Sequence, residues 1–249
     1  MLQIRGLTYE VEEAGETKRI LDGLDLDIQD GKFTVITGPN GGGKSTLAKL
    51  IAGIIQPTSG SIILDGEDIT EMNITDRARR GVSFAFQQPV KFKGLEVFDL
   101  LKIAAGKDTK LKIDDACKYL SEVGLCAKDY INREVNGSLS GGELKRIEIA
   151  TVLARGTKLS VFDEPEAGID LWSFQNLTRI FENMRKNIKD SSIIIISHQE
   201  RILKIADEIV VIANGRIKQQ GAGDEVLPAL TGTADAVLPC NKFTEVENG

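Results

Sequence analysis

Nine consecutive residues near the start of the chain have types and spacing suited to binding phosphate groups. They fit the pattern G-x-x-x-x-G-K-[ST], in which glycines let the backbone turn tightly and bring its N–H groups against phosphate oxygens. The lysine adds a mobile cation for the β- and γ-phosphates, and the hydroxyl that follows it can ligate Mg²⁺. The stretch therefore predicts a loop that binds a nucleoside triphosphate with Mg²⁺. Its residues are Gly38, Pro39, Asn40, Gly41, Gly42, Gly43, Lys44, Ser45 and Thr46.

The residues on either side of this loop predict the elements that would position it. The apolar run at 33–37 is typical of a buried strand that leads into the loop. After the loop, Leu47, Leu50 and Ile51 recur at helical spacing, so we expect a helix over 46–52. A helix that begins at the loop would point the positive end of its dipole at the bound anion.

Two adjacent carboxylates follow another short apolar strand, at 159–162. Asp163, at the end of that strand, can hold Mg²⁺ beside Ser45. Glu164, next to it, can polarise the attacking water. An exposed acidic turn before Pro165 is the alternative explanation for this pair when it is taken alone.

A second glycine-rich stretch, Ser140, Gly141, Gly142 and Glu143, stands where a helix is expected to begin. Its hydroxyl and free backbone N–H groups would form another anion site, although an ordinary helix cap with flexible glycines has the same sequence. Two such sites in one chain are hard to explain by a single bound nucleotide. They are explained if two copies face each other with each nucleotide between them.

Two further polar residues end predicted strands. His198, the only histidine, follows the apolar strand after the one that carries Asp163, and in such sheets the strand C-termini line the ligand crevice. It could contact the γ-phosphate or the water; a structural histidine is the alternative. Gln87 could contact Mg²⁺ or water. It could thereby link the presence of the γ-phosphate to the position of the helical segment that follows. A surface amide is the alternative there, and Gln88 is adjacent.

Composition narrows the class of protein. A net charge of −6 and a pI of about 5.1 argue against nucleic acid or an anionic membrane as the main partner. The three cysteines, at 117, 126 and 240, form no CxxC pair, so neither a disulfide framework nor a zinc site is expected. We find no signal peptide, and no apolar run approaches the roughly 18 residues of a membrane span. We therefore expect a cytoplasmic protein without direct membrane insertion.

Strands that alternate with helices predict an α/β fold with a mostly parallel core sheet and helices on both faces. Period-two stretches within residues 2–28 predict an antiparallel β subdomain, and Asp65-Gly66 and Asn214-Gly215 are hairpin signals. Helical periodicity from residue 90 onward predicts an inserted helical subdomain. We thus expect one domain over 1–249, with its core in 1–89 and 157–230, the helical part in 90–156, and a weakly patterned tail in 231–249.

Together these motifs resemble those of the ATP-binding cassette (ABC) ATPases, a family of P-loop NTPases, over nearly the whole chain. The matching elements are Walker A at 38–46, the Q-loop at Gln87, the signature motif at 140–143, the end of Walker B at 162–163, the catalytic glutamate at Glu164, the D-loop at 168–170 and the switch histidine at His198. The resemblance implies Mg-dependent ATP hydrolysis with Lys44, Glu164 and His198 as catalytic residues. It also implies Mg²⁺ ligation at Ser45, Gln87 and Asp163, and a head-to-tail, ATP-dependent homodimer.

Within that family, the chain looks most like the SufC-type ATPases of iron–sulfur cluster assembly. The supporting stretches are 85–90, the signature with Lys145-Arg146, and 198–203. Val11 lies about where most cassette ATPases carry an aromatic residue that stacks on adenine, and SufC-type proteins also lack it. The sequence departs from the pattern at Pro165, which importers share, whereas the acidic Glu166 is unusual for importers.

The sequence therefore leaves two candidates for the partner protein that ATP hydrolysis would drive. The first is a soluble SufB- or SufD-like scaffold that builds iron–sulfur clusters. The second is the permease subunit of a membrane importer. A chromosome or DNA-repair cassette would separate the motifs at Lys44 and Ser140 with a long coiled coil, and no heptad run fills that interval.

Overall fold

The computed structural model describes residues 1–13, 15–106, 109–187 and 191–231. Its strands form two sheets. They are β1 (Leu2–Glu13), β2 (Glu16–Ile28), β3 (Phe33–Thr37), β4 (Ser59–Leu64), β5 (Glu67–Asp68), β6 (Val82–Ala85), β7 (Leu159–Asp163), β8 (Ser192–Ile196), β9 (Glu208–Ala213) and β10 (Arg216–Ala222).

The larger sheet has the strand order β10-β9-β3-β8-β7-β6. The strands from β9 to β6 pair in parallel, and β10 is antiparallel to β9. Every residue of β3, β7 and β8 is buried, which agrees with their largely apolar sequences. The C-terminal ends of β3, β7 and β8 therefore lie side by side at one edge, where residues 38, 164 and 197 begin the loops.

The smaller sheet is antiparallel, in the order β2-β1-β4-β5. Its period-two apolar residues, such as Ile4 and Leu26, point into the protein, as the sequence pattern predicts. Both hairpin signals form tight turns: Asp65 and Asn214 each have a φ of 52°, and the glycine that follows each also has a positive φ. This left-handed backbone is the one that favours Asp-Gly and Asn-Gly in two-residue hairpins.

Nine helices occur in the described residues. They are α1 (Lys44–Ala52), α2 (Ile74–Arg79), α3 (Val97–Ala105), α4 (Ile113–Glu122), α5 (Ala127–Tyr130), α6 (Gly141–Arg155), α7 (Leu171–Asn187), α8 (Glu200–Leu203) and α9 (Gly223–Thr231). Four of them, α3 to α6, lie within the interval 90–156. None is long and apolar enough to cross a membrane, within the ranges described above.

The core consists of two apolar clusters on opposite faces of the larger sheet. Phe162 belongs to the cluster shared with the helices α3, α4, α6 and α7, whereas its neighbour Val161 belongs to the cluster shared with α1 and the smaller sheet. This alternation follows from the two-residue period of a strand. Phe181 of α7 packs edge-on against both Phe33 and Phe162 and links the helical side to two central strands.

The structure also differs from the sequence-based expectations in detail. The strand that we expected Gln87 to end stops at Ala85, so Gln87 lies in the loop after β6. The helix α2, which we did not expect, places the fully buried Arg77 against the C-terminal end of α1. The predicted tail, with Cys240, lies outside the described residues apart from its first residue, which ends α9.

Candidate active site

The glycine-rich loop between β3 and α1 is held in place by close packing against two neighbouring strands. Gly38 has a φ of 132°, and a Cβ there would lie 2.0 Å from the backbone oxygen of Ile212. A Cβ at Gly43, whose φ is 100°, would lie 2.6 Å from the side chain of Leu21. At both positions only glycine fits, because of both the backbone conformation and the lack of space. The loop is thus fixed around the N-terminus of α1 before any ligand binds.

Lys44 is buried at the first position of α1. Its Nζ donates hydrogen bonds of 2.9 Å to the carbonyl oxygens of Gly38 and of Pro39. Both acceptors are uncharged carbonyl oxygens, so these bonds do not pair the ammonium with a carboxylate, and it lies next to the N–H groups of the helix start. This is the arrangement that the sequence pattern predicts for binding phosphate oxygens.

The Ser45 hydroxyl donates a 2.8 Å hydrogen bond to Oδ1 of Asp163, although the two residues are 118 positions apart in the sequence. Asp163 is only 3% exposed. Burial raises its pKa, the bond from Ser45 opposes that rise, and the charge of Glu164 adds to it. A divalent cation would reverse this balance by favouring the ionised carboxylate. A hydroxyl and a carboxylate oxygen at this distance fit Mg²⁺, which prefers oxygen ligands and retains several waters.

Glu164 has an unusual backbone conformation, with a φ of +43°. The other two described non-glycine residues with positive φ are the hairpin residues Asp65 and Asn214, for which turns provide an explanation. Such strain is found preferentially at functional sites. Oε2 of Glu164 accepts a 2.7 Å hydrogen bond from Nε2 of Gln87. The structure thus brings Gln87 to the predicted catalytic carboxylate; its predicted ligation of Mg²⁺ stays a prediction.

His198 follows β8, the strand directly beside β7, so it lies at the same edge of the sheet as Asp163 and Glu164. Its Nε2 is 3.3 Å from the side-chain nitrogen of Gln199, and the residue is exposed. The residue before it, Ser197, is fully buried and donates a 2.5 Å hydrogen bond to Oε1 of Glu166. The loops after β7 and β8 are therefore tied together by a buried carboxyl group.

We did not assign a role to Glu166 from the sequence, although its acidic character stood out. Its second oxygen, Oε2, is buried and has no hydrogen-bond partner in the structure. Burial raises its pKa, while the bond from Ser197 and the charge of His198 lower it. The signal available in the sequence for this contact was the acidic residue itself, which is unusual for importers at this position.

The second glycine-rich stretch caps helix α6. The Ser140 hydroxyl accepts a 3.2 Å bond from the Glu143 N–H, and Oε2 of Glu143 accepts a 2.6 Å bond from the Ser140 N–H, which is a capping box. The Tyr130 hydroxyl also donates to Oε1 of Glu143, and this bond raises the pKa of Tyr130. No hydrogen bond or ion pair between described residues joins this stretch to the loop at 38–46. Within one chain, the two predicted anion sites are therefore separate.

Helix α6 holds the backbone on the N-terminal side of Gln87. Nζ of the buried Lys145 donates to the carbonyl oxygen of Phe86, and Oε1 of Glu148 accepts a 3.0 Å bond from the Phe86 N–H. Lys145 and Glu148 also pair with each other at 3.0 Å, and burial raises the pKa of Glu148. The helix that begins with Ser140–Glu143 is thus bonded to both backbone groups of Phe86. Sequence analysis missed this connection.

Comparison with known proteins agrees with this geometry. The sequence profile of the ABC transporter family matches residues 21–167. An uncharacterized ABC transporter ATP-binding protein of Methanocaldococcus jannaschii is 38% identical over 215 residues, which are 84% of this chain and 85% of that protein. A probable ATP-dependent transporter, ycf16, of Antithamnion sp. is 33% identical over 241 residues, covering 91% of this chain and 93% of that protein. A sulfate/thiosulfate import ATP-binding protein of Shewanella oneidensis is 35% identical over 210 residues; the match spans 83% of this chain but 58% of the importer subunit.

Solved structures show the same fold. A nucleotide-free ATP-binding cassette of an ABC transporter has a TM-score of 0.77 and 25% identity, with 93% of this chain and 95% of that chain covered. An ATP-binding cassette of an ABC transporter in its ADP conformation has a TM-score of 0.76 and 27% identity, over 93% of this chain and 94% of that one. These likenesses confirm the predicted α/β fold. The chain belongs to the ABC transporter family and is an ATP-hydrolysing cassette of that family.

Proposed function

We propose that this chain binds Mg-ATP at the loop 38–46 and hydrolyses it as a head-to-tail homodimer, with Glu164 as the residue that activates water. The observation that carries the proposal is the contact of Ser45 with Asp163 at 2.8 Å, directly beside the strained Glu164. This contact joins the phosphate loop to the strand end that bears both carboxylates. This contact supports a crevice in which the phosphate-binding, metal-ligating and basic groups would lie together.

Each residue has a role that its position supports. The loop N–H groups and Lys44 would bind the β- and γ-phosphates, and Ser45 with Asp163 would hold Mg²⁺. The cation, when bound, neutralises charge that develops on the phosphate oxygens. Glu164 would orient the attacking water and accept its proton on a carboxylate oxygen, and His198 would contact the γ-phosphate from the adjacent strand end.

The dimer explains why the chain carries two separate anion sites. The stretch Ser140–Glu143 begins α6, and the capping box uses the N–H groups of Ser140 and Glu143 but not those of Gly141 and Gly142. No hydrogen bond between described residues joins this stretch to the loop 38–46 of its own chain. In a head-to-tail pair, the Ser140–Glu143 stretch of one copy would meet the phosphates held by the other. Hydrolysis would then depend on protein concentration, because one copy alone provides half of each site.

The first candidate for the partner protein that hydrolysis would drive is a membrane permease subunit. It is supported by the relatives, which are described as ATP-binding proteins of transporters and include an importer of sulfate and thiosulfate. The proposal places this chain on the cytoplasmic side, where it would couple the opening and closing of the dimer to the permease.

A SufB- or SufD-like scaffold is the second candidate, and Glu143 and Lys145 favour it, because at these two positions the sequence resembles SufC-type proteins more than importers. Glu166 is a further charged residue that is unusual for importers. In the structure each forms a specific buried or half-buried contact: Glu143 with Tyr130, Lys145 with Glu148, and Glu166 with Ser197. The chain therefore uses the charges that distinguish it from importers to fix the signature helix and the loops after β7 and β8.

Two experiments test the proposal. Calorimetry should show tight ATP binding that is lost in Lys44→Ala and retained in Lys49→Ala, an exposed lysine on the same helix. Unchanged affinity in Lys44→Ala would refute the site. Affinity purification from native cells, with and without detergent, then identifies the partner protein. A partner with several apolar spans that requires detergent supports the permease, and a detergent-independent partner that binds iron supports the scaffold instead.

A further inference from the structure

An exposed apolar pair begins helix α7. Trp172 is 76% exposed and Leu171 is 64% exposed, which makes them the two most exposed large apolar side chains among the described residues. They follow directly after Asp170. Trp172 is also the only tryptophan of the chain. Burying two side chains of this size away from water would be strongly favourable, so their exposure calls for a partner surface.

The pair lies next to the stretch that caps α6. A Cβ on Gly142 would be 2.6 Å from the Ser173 hydroxyl, so α7 begins in direct contact with that stretch. A Cβ on Gly141 would be 3.5 Å from the carbonyl oxygen of Gly168. The exposed pair is therefore continuous with Ser140–Glu143, the surface that the proposed dimer presents to its second copy.

Asp170 holds the pair in a fixed orientation. Its Oδ1 accepts bonds of 2.9 Å from the Trp172 N–H and 3.0 Å from the Ser173 N–H, and its Oδ2 accepts a 2.7 Å bond from the Ser173 hydroxyl. These bonds lower the pKa of Asp170, so the cap is ionised at neutral pH. A side chain presented on a capped helix start loses less conformational entropy on binding than one on a flexible loop.

We propose that Leu171 and Trp172 are an interface anchor for the second copy of this chain in the ATP-bound dimer. This inference rests on the proposed head-to-tail dimer and adds the residues that hold it together. A two-fold dimer would bury the pair twice, once from each copy. Tryptophan is among the residues that contribute most to interface affinity when it is fully enclosed.

The intrinsic fluorescence of Trp172 gives a direct test. The experiment uses the Glu164→Gln variant, which should keep ATP bound and the dimer closed. Light scattering measures the fraction of dimer independently. With Mg-ATP, the emission should shift to shorter wavelength and become less accessible to acrylamide, in proportion to the dimer fraction across a series of protein concentrations.

Three results would overturn the inference. The first is a dimer in which emission and quenching stay at their monomer values; this would leave the proposed function intact. The second is an emission change at concentrations where the chain stays monomeric, because Trp172 would then respond to a change within one chain. The third is the lack of any dimer, which light scattering detects separately and which would refute the proposed dimer as well.

Substitutions provide a second measurement. In the same background, Trp172→Ala should weaken the ATP-dependent dimer roughly ten- to thirty-fold, and Leu171→Ala should weaken it less. Ile74→Ala is the control, because Ile74 is an exposed residue on α2, which packs at the end of α1 away from the phosphate loop. Thermal unfolding by circular dichroism checks that each variant is folded. A folded Trp172→Ala variant with an unchanged dimer constant would overturn the inference.

Discussion

Nε2 of Gln87 lies 2.7 Å from Oε2 of Glu164 and donates a hydrogen bond to it, although 77 positions separate the two residues in the sequence. Gln87 follows Phe86, whose backbone is bonded to Lys145 and Glu148 of helix α6. A continuous set of contacts therefore runs from helix α6, which begins at Gly141, to Glu164, the carboxylate that we propose activates water. A shift of α6 toward a partner copy would move Gln87 and change the position of Glu164.

The first prediction concerns Glu164 itself. Glu164→Gln should bind Mg-ATP normally but hydrolyse it about 10²- to 10⁴-fold more slowly, because an amide cannot accept the proton of water. Single-turnover hydrolysis, measured together with ATP affinity, separates the two effects. Glu200→Gln, which changes an exposed residue of helix α8, is a control that should retain full activity. Full turnover in Glu164→Gln would show that another group activates the water.

The second prediction concerns the ion pair on α6 between the buried Lys145 and the half-buried Glu148. Lys145→Met should lower the free energy of unfolding by about 3 kcal/mol, because it leaves the half-buried Glu148 carboxylate without its cation. Adding Glu148→Gln should recover part of that loss, since the neutral amide keeps an oxygen to accept the Phe86 N–H. Chemical denaturation of both single variants and the double variant gives the coupling between them. If the two losses simply added, the pair would not act as a unit.

Local sequence patterns predicted the phosphate loop, its flanking strand and helix, and both hairpins, because these depend on neighbouring residues. The parallel order of β3, β7 and β8 then brought Ser45, Asp163 and His198 to one edge, as expected from the fold class. The contacts of Arg77, Lys145 and Glu166 could not be predicted in this way. Each is a charged residue whose burial depends on partners far along the chain; Lys145 and Phe86, for instance, are 59 positions apart.

The third prediction concerns pH. Burial raises the pKa of Glu166 above its ordinary value, so the folded state holds a proton there that the unfolded state releases. Its contribution to stability is therefore complete below the unfolded pKa and is lost as the pH rises through the higher folded pKa. Glu166→Gln cannot titrate. The melting temperature of the parent chain should thus fall relative to that of Glu166→Gln as the pH rises from about 4.5 toward neutrality.

The control for this comparison is Asp170→Asn, where the sign is opposite. Hydrogen bonds hold the pKa of Asp170 below its usual range, so that carboxylate contributes stability at neutral pH and loses it as the pH falls. A difference between the parent chain and Glu166→Gln that stays constant with pH would contradict the third prediction.

The last prediction concerns Arg77, which contacts the C-terminal end of α1, the helix that follows the loop 38–46. Its fully buried guanidinium donates to the carbonyl oxygens of Leu50 and Ile51 at the end of α1, and to those of Thr70 and Met72. Burial lowers the pKa of Arg77 to about 10, so it stays charged at neutral pH. The positive charge also interacts favourably with the negative, C-terminal end of the α1 helix dipole.

Arg77→Met should therefore lower the free energy of unfolding by about 3 kcal/mol or more, because several buried carbonyl oxygens lose their donor. Arg79→Ala, on the same helix, is the matched control: its side chain is 73% exposed and pairs with Asp76, so the loss should be below about 1 kcal/mol. Denaturant unfolding measures both. Since Arg77 contacts the end of α1 opposite the phosphate loop, variants that stay folded should keep their ATP affinity, which calorimetry tests. Reduced affinity in folded Arg77→Met would instead show that the end of α1 and the loop move together.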